Sequence, residues 1–475
     1  MSMDQANAGK IETPQPVRVS FRNLSGALLL FLCSSLASAG ILGGWSQSTV
    51  AATLVLGVFV ALEIYRVPRQ QLVTGLCLVL IGSLAAYPEG GIFDSVVKAS
   101  KGTLIFVALF VAVAFLQYPA LNSPSMFAVR EVIVSQPAGR RYATLSLSAH
   151  FFGALTNFAA LSLLSTFLYG NLDSSARERM ACAMIRGFAL AASWSPFFVS
   201  VAVILYIMPE LTWLRIAMPG VPLAFILLVY GWAFDRIAHR KPPLAGTQAS
   251  QVTAPAKLRS ETIYKIGVLG LVLVGSILFV SETLVVTMPI AIFLVTPLIS
   301  VIWQALLSRQ GGQGSLGGMA TSVIENISKL RAEIVVFLSA NFLGYSAAMI
   351  IDPATVSSTL IDAGIYGWSA IFVLLCFMLL STMLMLHPLV LIVLLGQVFP
   401  GEALGVQTVS LALCMSAIWG VGTPSSPGSG LTLFMTRILQ RSPWYVSWRL
   451  NAVYSLGGIT VAGGYIALVN RWFLM

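Results

Sequence analysis

The chain has 475 residues, of which 57% are hydrophobic and only 9% charged, and its formal net charge is +10. A soluble domain carries about a quarter charged residues, so this composition excludes an ordinary soluble enzyme and specifies an all-α polytopic membrane protein. The basic excess does not call for a nucleic-acid partner, because Lys and Arg gather in a few short connections, as the positive-inside bias requires.

In chain order, Lys10, Arg18 and Arg22 precede ALLLFLCSSLASAG, a pattern shared with signal peptides. Many spans follow it, so a retained first helix over 24–44 is expected. Apolar runs at 48–65, 72–87 and 103–118 come next, matched to a hydrocarbon core about 30 Å thick. With the N-terminus in the cytoplasm, Arg66, Arg69, Arg130, Arg140 and Arg141 all fall inside. The run 143–169 breaks this order, since a simple crossing would carry Arg177, Arg179 and Arg186 outside. A hairpin that enters and turns back near Thr156–Asn157 keeps the bias, provided protein or a watery cavity satisfies its backbone. Segments 180–208 and 213–234 then cross out and back. The residues that follow, with His239, Arg240, Lys241, Lys257 and Arg259 around a Pro/Ala/Thr-rich core, read as a cytoplasmic linker.

The second half replays the first. Spans at 266–281, 284–306 and 333–351 lead to a second hairpin over 366–399, which holds His387–Pro388, and then to a broken span at 405–437. The division is thus a tail and first helix (1–47), repeat 1 (48–235), the linker (236–262) and repeat 2 (263–475), with about 11 transmembrane helices and two re-entrant hairpins in an inverted repeat. The five cysteines lie mostly within apolar runs without paired spacing and read as small apolar residues.

Two interruptions carry the chemistry. Residues 419–431, WGVGTPSSPGSGL, hold two prolines and four glycines and cannot form an unbroken helix. Their counterpart is Ser193-Trp194-Ser195-Pro196. A broken helix leaves N–H groups that attract an anion on one side and carbonyls that hold a cation on the other. Ser193, Ser195, Pro196, Thr423, Pro424, Ser425, Ser426 and Ser429 at the breaks, with Thr156 and Asn157 in the hairpin, are therefore the expected substrate and ion site. His150 and His387, each inside a hairpin and aligned with one another, are candidates for a proton relay or anion partner, with a hydrogen-bonded structural role as the alternative. Arg186 stands before the first break as a possible counter-charge for an anion, or as a snorkelling interface residue.

One initial helix, two five-helix inverted repeats and a hairpin in each resemble the ion transporter superfamily, whose best-known branch is the divalent-anion:sodium symporters (dicarboxylate transporter-like). The resemblance covers roughly residues 48 to 470. It implies hairpin tips with Ser-Asn-Thr motifs facing Thr-Pro-rich breaks, sodium and a carboxylate held between them, elevator motion and a homodimer. Here Leu155-Thr156-Asn157-Phe158 supplies only the central Asn, and the second tip reads MLHPLV. The expected function is secondary active transport of a small organic acid or oxyanion across the inner (plasma) membrane, coupled to Na+ or H+. No catalytic residues, metal or other cofactor are expected. The N-terminus is expected in the cytoplasm and the C-terminus outside. Alternatives are a multi-span enzyme of the glycosyltransferase or polymerase type, and the membrane subunit of a larger transport complex.

Overall fold

A computed structural model describes residues 20–134, 136, 138–165, 168, 173–238, 259–310 and 314–474. The N-terminal charges Lys10 and Arg18, and most of the expected linker with His239, Arg240, Lys241 and Lys257, lie outside the described residues. In the first half the helices are α1 (Phe21–Gly43), α2 (Ser46–Glu63), α3 (Arg69–Ala86), α4 (Ile92–Leu121), α5 (Pro124–Val134), α6 (Ala138–Thr156), α7 (Phe158–Ser165), α8 (Ser174–Leu190), α9 (Val199–Ile207) and α10 (Trp213–Ala238). In the second they are α11 (Ser260–Leu284), α12 (Met288–Arg309), α13 (Leu316–Ser328), α14 (Arg331–Ile350), α15 (Pro353–Asp362), α16 (Trp368–Met383), α17 (Pro388–Val398), α18 (Thr408–Gly422), α19 (Gly430–Leu439) and α20 (Leu450–Leu474). No strand occurs among the described residues. Nine helical stretches among them are long and apolar enough to cross a membrane. The expected crossings at 180–208 and 405–437 are the two pairs of shorter helices, α8–α9 and α18–α19.

Polar side chains start several of these helices. Ser20 accepts from the Asn23 N–H at 3.2 Å, and Asp173 accepts from the Ala176 N–H at 2.6 Å. At α15, outside the apolar spans, Asp352 accepts from the Thr355 hydroxyl and from the Ala354 and Thr355 N–H groups, which holds its carboxyl below the usual carboxylate range. Pro353, in the first turn, lacks an N–H that would have been unpaired there anyway.

The scaffold is a crossed set of long helices. α14 lies along α3, α4 lies along α12, and α4 and α14 pack on each other. Asn341 on α14 donates to the Thr103 hydroxyl on α4 at 3.3 Å, the interhelical bond expected of an Asn in an apolar span. The Phe337 and Phe106 rings meet at a tilt of 41° with centroids 4.8 Å apart. Glu63 reads from the sequence as a snorkelling interface charge, and the structure corrects this. It is 6% exposed, accepts from Arg66 at 3.1 Å, and meets Arg331 at 3.0 Å. The carboxylate thus ties α2 to the start of α14, where water reaches little of it and a partner is required.

In each segment expected to turn back, two helices meet across a turn, α6 with α7 and α16 with α17. Ser195 Oγ donates to the Ala154 carbonyl at 2.6 Å, and Gly187 lies against the Ser146 carbonyl. α8 therefore runs beside α6 in the same direction, so the chain must return between them through α7. The turn is Asn157, with φ 52°, a left-handed conformation that Asn tolerates better than most residues. In the second half the Gly367 N–H donates to the Leu404 carbonyl at 2.7 Å, which joins the base of α16 to the residues after α17. The tip is Leu384–His387, with Met385 at φ 73°. α18 then returns beside α16, with Gly422 against Thr382 and Leu379.

Gly187 is the residue that lets α6 and α8 approach, because a Cβ there would sit 2.0 Å from the Ser146 oxygen. Gly187→Val is expected to lower stability by about 1–3 kcal/mol or more, as overpacking against backbone does. A thermal melt of the purified variant in detergent checks this, and an unchanged midpoint would show that the two helices are not in contact.

Candidate functional site

Each interruption is built the same way. α8 ends at Leu190, a 3-10 turn covers Ala191–Ser193, and α9 begins at Val199. α18 ends at Gly422, a 3-10 turn covers Thr423–Ser425, and α19 begins at Gly430. Ser195–Pro196 therefore corresponds to Ser426–Pro427, and Phe198 and Ser429 are the two N-caps.

Protein groups satisfy the carbonyl side of each break. At the first, Ser200 Oγ donates to Ala192 O at 2.8 Å, Trp213 Nε1 to Trp194 O at 2.8 Å, and Asn157 Nδ2 to Phe197 O at 3.4 Å. At the second, Ser455 Oγ donates to Val421 O at 2.7 Å, Ser425 Oγ to Gly422 O at 2.8 Å, and Ser429 Oγ to Thr423 O at 2.8 Å. The N–H side differs. No side chain caps the N-terminus of α9, and Ser429 caps only the Thr432 N–H of α19. Phe198, Val199, Gly430 and Leu431 all line one cavity of about 200 Å³. Two helix N-termini, each with its positive dipole end, thus open onto a shared space.

Both turns reach the same cavity, through Asn157 and His387. The His387 Nδ1 accepts from the Leu389 N–H at 3.2 Å, which assigns the remaining ring proton of the neutral imidazole to Nε2. The Trp419 ring meets it edge-on at 5.6 Å. Phe110, Phe188, Phe198, Phe337 and Trp419 form apolar walls. Between them stand the polar side chains of Gln117, Asn326 and Glu333, none of which sequence reading selected for the site. Among the described residues, Glu333 is the lone carboxylate lining this cavity.

Several expected site residues lie elsewhere. The Thr156 hydroxyl turns back onto the Phe152 carbonyl at 2.9 Å. Ser195, Ser425 and Ser429 serve backbone groups as described, while Ser193, Pro196, Pro424 and Ser426 are buried in the turns, the Ser193 hydroxyl with no partner among the described residues. Thr423 does line the cavity, but its hydroxyl donates to the Trp419 carbonyl at 2.5 Å.

His150 is not the equivalent of His387. It lies fully buried inside α6 rather than at a tip, with Trp194 Nε1 donating to its Nε2 at 3.1 Å and its Nδ1 3.2 Å from the Gly187 carbonyl. Trp can only donate, so Nε2 accepts, Nδ1 carries the proton, and both ring nitrogens are engaged. Arg186 also lies away from the cavity. Its guanidinium donates to Asn451 Oδ1 at 2.8 Å, Leu450 O at 2.7 Å and the Tyr142 hydroxyl at 3.3 Å, and it sits 4.2 Å from the Tyr454 ring centroid. It fastens α8 to the start of α20. The bidentate pair of Arg179 with Asp235, at 2.7 and 2.5 Å, fastens α8 to α10.

The fold has counterparts among solved structures. The Alcanivorax borkumensis YdaH transporter, described as having an unusual topology, superposes with a TM-score of 0.59 over 84% of this chain and 98% of that one, at 12% identity. Neisseria gonorrhoeae MtrF, described within a class of antimetabolite efflux pumps, gives 0.52 over 84% and 94%, at 10% identity. The chain shares the overall fold of these two proteins. At these identities the likeness speaks for fold alone, and no protein-family model or curated protein sequence matches the chain.

The bond between Trp194 and His150 is directly testable. In a double-mutant cycle, Trp194→Phe and His150→Gln are expected to couple by roughly 1 kcal/mol in unfolding free energy. Additive effects would show that the two side chains do not interact.

Proposed function

We propose that the protein is a secondary active transporter for a small organic acid with an apolar, ring-sized body, coupled to Na+ or H+. The observation that carries this reading is the meeting of two helix N-termini, one uncapped and one capped only at Thr432, and two turns at one aromatic-walled cavity. Backbone N–H groups at Val199, Gly430 and Leu431, with His387 Nε2–H, suit a carboxylate. The five aromatic rings suit the rest of such a molecule better than a hydrated inorganic oxyanion. The likeness to YdaH and MtrF supports transport over the enzymatic alternative, and the description of MtrF as an antimetabolite pump supports an organic cargo.

In this reading the two hairpins are re-entrant and the two halves form an inverted repeat. α6–α10 and α16–α20 move as an elevator against α3, α4, α12 and α14, in a homodimer in the inner membrane with the N-terminus inside and the C-terminus outside. Carbonyl groups in the breaks already have protein partners, which favours the N–H ends as the substrate side.

Benzoate is a fitting probe for a cavity of this size and lining. It is expected to raise the melting midpoint of the purified protein and to enter proteoliposomes, whereas sulfate does neither. Asn157→Leu and Gly430→Leu, which fill the cavity, are expected to abolish both effects while the protein still inserts. Undiminished benzoate stabilisation and uptake in both variants would refute the proposal.

A further inference from the structure

We infer that Glu333 is the proton-carrying group of this site, and that the cavity takes up an organic anion and a proton together. The inference rests on the reading of the cavity as the transport site. Glu333 stands in the first turn of α14, inside the 35-residue apolar stretch Leu316–Ile350, and its side chain lines the cavity. An ionisable residue at such a place is rare without a partner or a function.

The Glu333 side chain accepts from its own backbone N–H and makes no ion pair among the described residues, and its neighbours explain why. Arg331, two residues away, is directed to Glu63 at 3.0 Å, and Glu63 also holds Arg66. α4 presents Phe110, Val113, Ala114 and Gln117 at this level, none of them charged, while its pair Lys98 and Asp94 (2.7 Å) and Lys101 lie beyond Thr103, which meets α14 near its middle, at Asn341. α3 contributes a single charge, Arg69 at its start. α17 contributes His387 at its cap, with Nδ1 already accepting from backbone. The preceding α13 adds Glu325, and Lys329 follows it, neither lining the cavity. The Glu333 carboxylate is therefore reachable from the cavity and carries no fixed counter-charge.

The electrostatic consequence follows from the shared space. A substrate carboxylate at the N-termini of α9 and α19 and an ionised Glu333 are like charges within one small, aromatic-walled cavity. Glu333 is itself exposed, so each charge disfavours the other across the shared space to the extent that the aromatic walls exclude water from it. Protonation of Glu333 removes the repulsion, so proton binding raises anion affinity and anion binding raises proton affinity by the same factor. A bound proton sits on a carboxylate oxygen of Glu333, taken from water on one side and returned to water on the other after the cavity changes access. A sodium ion would instead need several oxygen ligands near Glu333; the hydroxyl among the lining residues, Thr423, is bonded to the Trp419 carbonyl, which leaves the amide oxygens of Gln117, Asn157 and Asn326.

Two measurements on the full-length protein test this. Dicyclohexylcarbodiimide adds a protonated carboxyl across its C=N bond, so its stable adduct reports a carboxyl that holds a proton in an apolar site. Mass spectrometry is expected to find the adduct on Glu333, in equal yield in sodium and choline salts and declining as pH rises. Protection by sodium, or an unmodified Glu333 beside labelled carboxyls elsewhere, would overturn the inference. Benzoate affinity is expected to strengthen about tenfold or more from alkaline to acid pH, within the usual range of coupling between sites. Glu333→Gln should remove that pH dependence and Glu333→Asp should keep it. A Glu333→Gln protein with the wild-type pH dependence would refute the role. Should benzoate not bind at all, the functional reading falls, while the adduct still decides whether Glu333 exchanges a proton.

Discussion

Every peptide group within a bilayer needs a partner, and this structure is organised around the two places where the helix cannot provide one. Pro196, Pro424 and Pro427 remove donors, and the turns around them free carbonyls on one side and N–H groups on the other. The chain answers asymmetrically. Ser200, Trp213, Ser425, Ser429 and Ser455 supply hydroxyls or an indole N–H to the carbonyls, while the N–H ends open to a cavity. A site with only its donors left open selects negative charge, and selection by fixed dipoles needs no mobile cation to assemble it.

The rest of the fold holds that cavity in place. Gly187 and Ser195 press α8 onto α6, Arg186 and Arg179 bind α8 to α20 and α10, and the Gly367–Leu404 bond closes the second hairpin. Buried arginines are suited to this, because a planar fork that meets a carboxylate or carbonyls at several points fixes orientation as well as distance. The opposite wall belongs to α4 and α14, which bring Phe110, Gln117, Glu333 and Phe337 to the same space. The N–H ends of the breaks and the Glu333 carboxylate thereby stand on different walls of the cavity.

Much of this was legible in the sequence, and the failures have physical reasons. Span positions, the turn at Asn157 and the two interruptions follow from hydropathy, basic loops and proline, all of which act locally. The serines of the breaks looked like ligands because hydroxyls inside a membrane need partners, but the carbonyls freed a few residues away are closer partners than any solute. His150 and His387 matched by distance along the chain, whereas one lies mid-helix beside Trp194 and the other caps a helix. Glu333 gave no signal in a linear reading, because only the fold brings it to the cavity and directs Arg331 to Glu63. Gln117 and Asn326 gave no signal in a linear reading, since single amides in apolar helices usually join neighbouring helices.

The central claim is that the N–H ends of both breaks hold one organic anion in one cavity. Anomalous diffraction from crystals grown with 4-bromobenzoate tests it most directly. The account predicts a bromine peak among Phe110, Phe337 and Trp419, with the carboxylate against the backbone N–H groups of Val199 and Gly430. A peak at the carbonyl ends near Ala192 and Val421, or only on the lipid-facing surface, would contradict it.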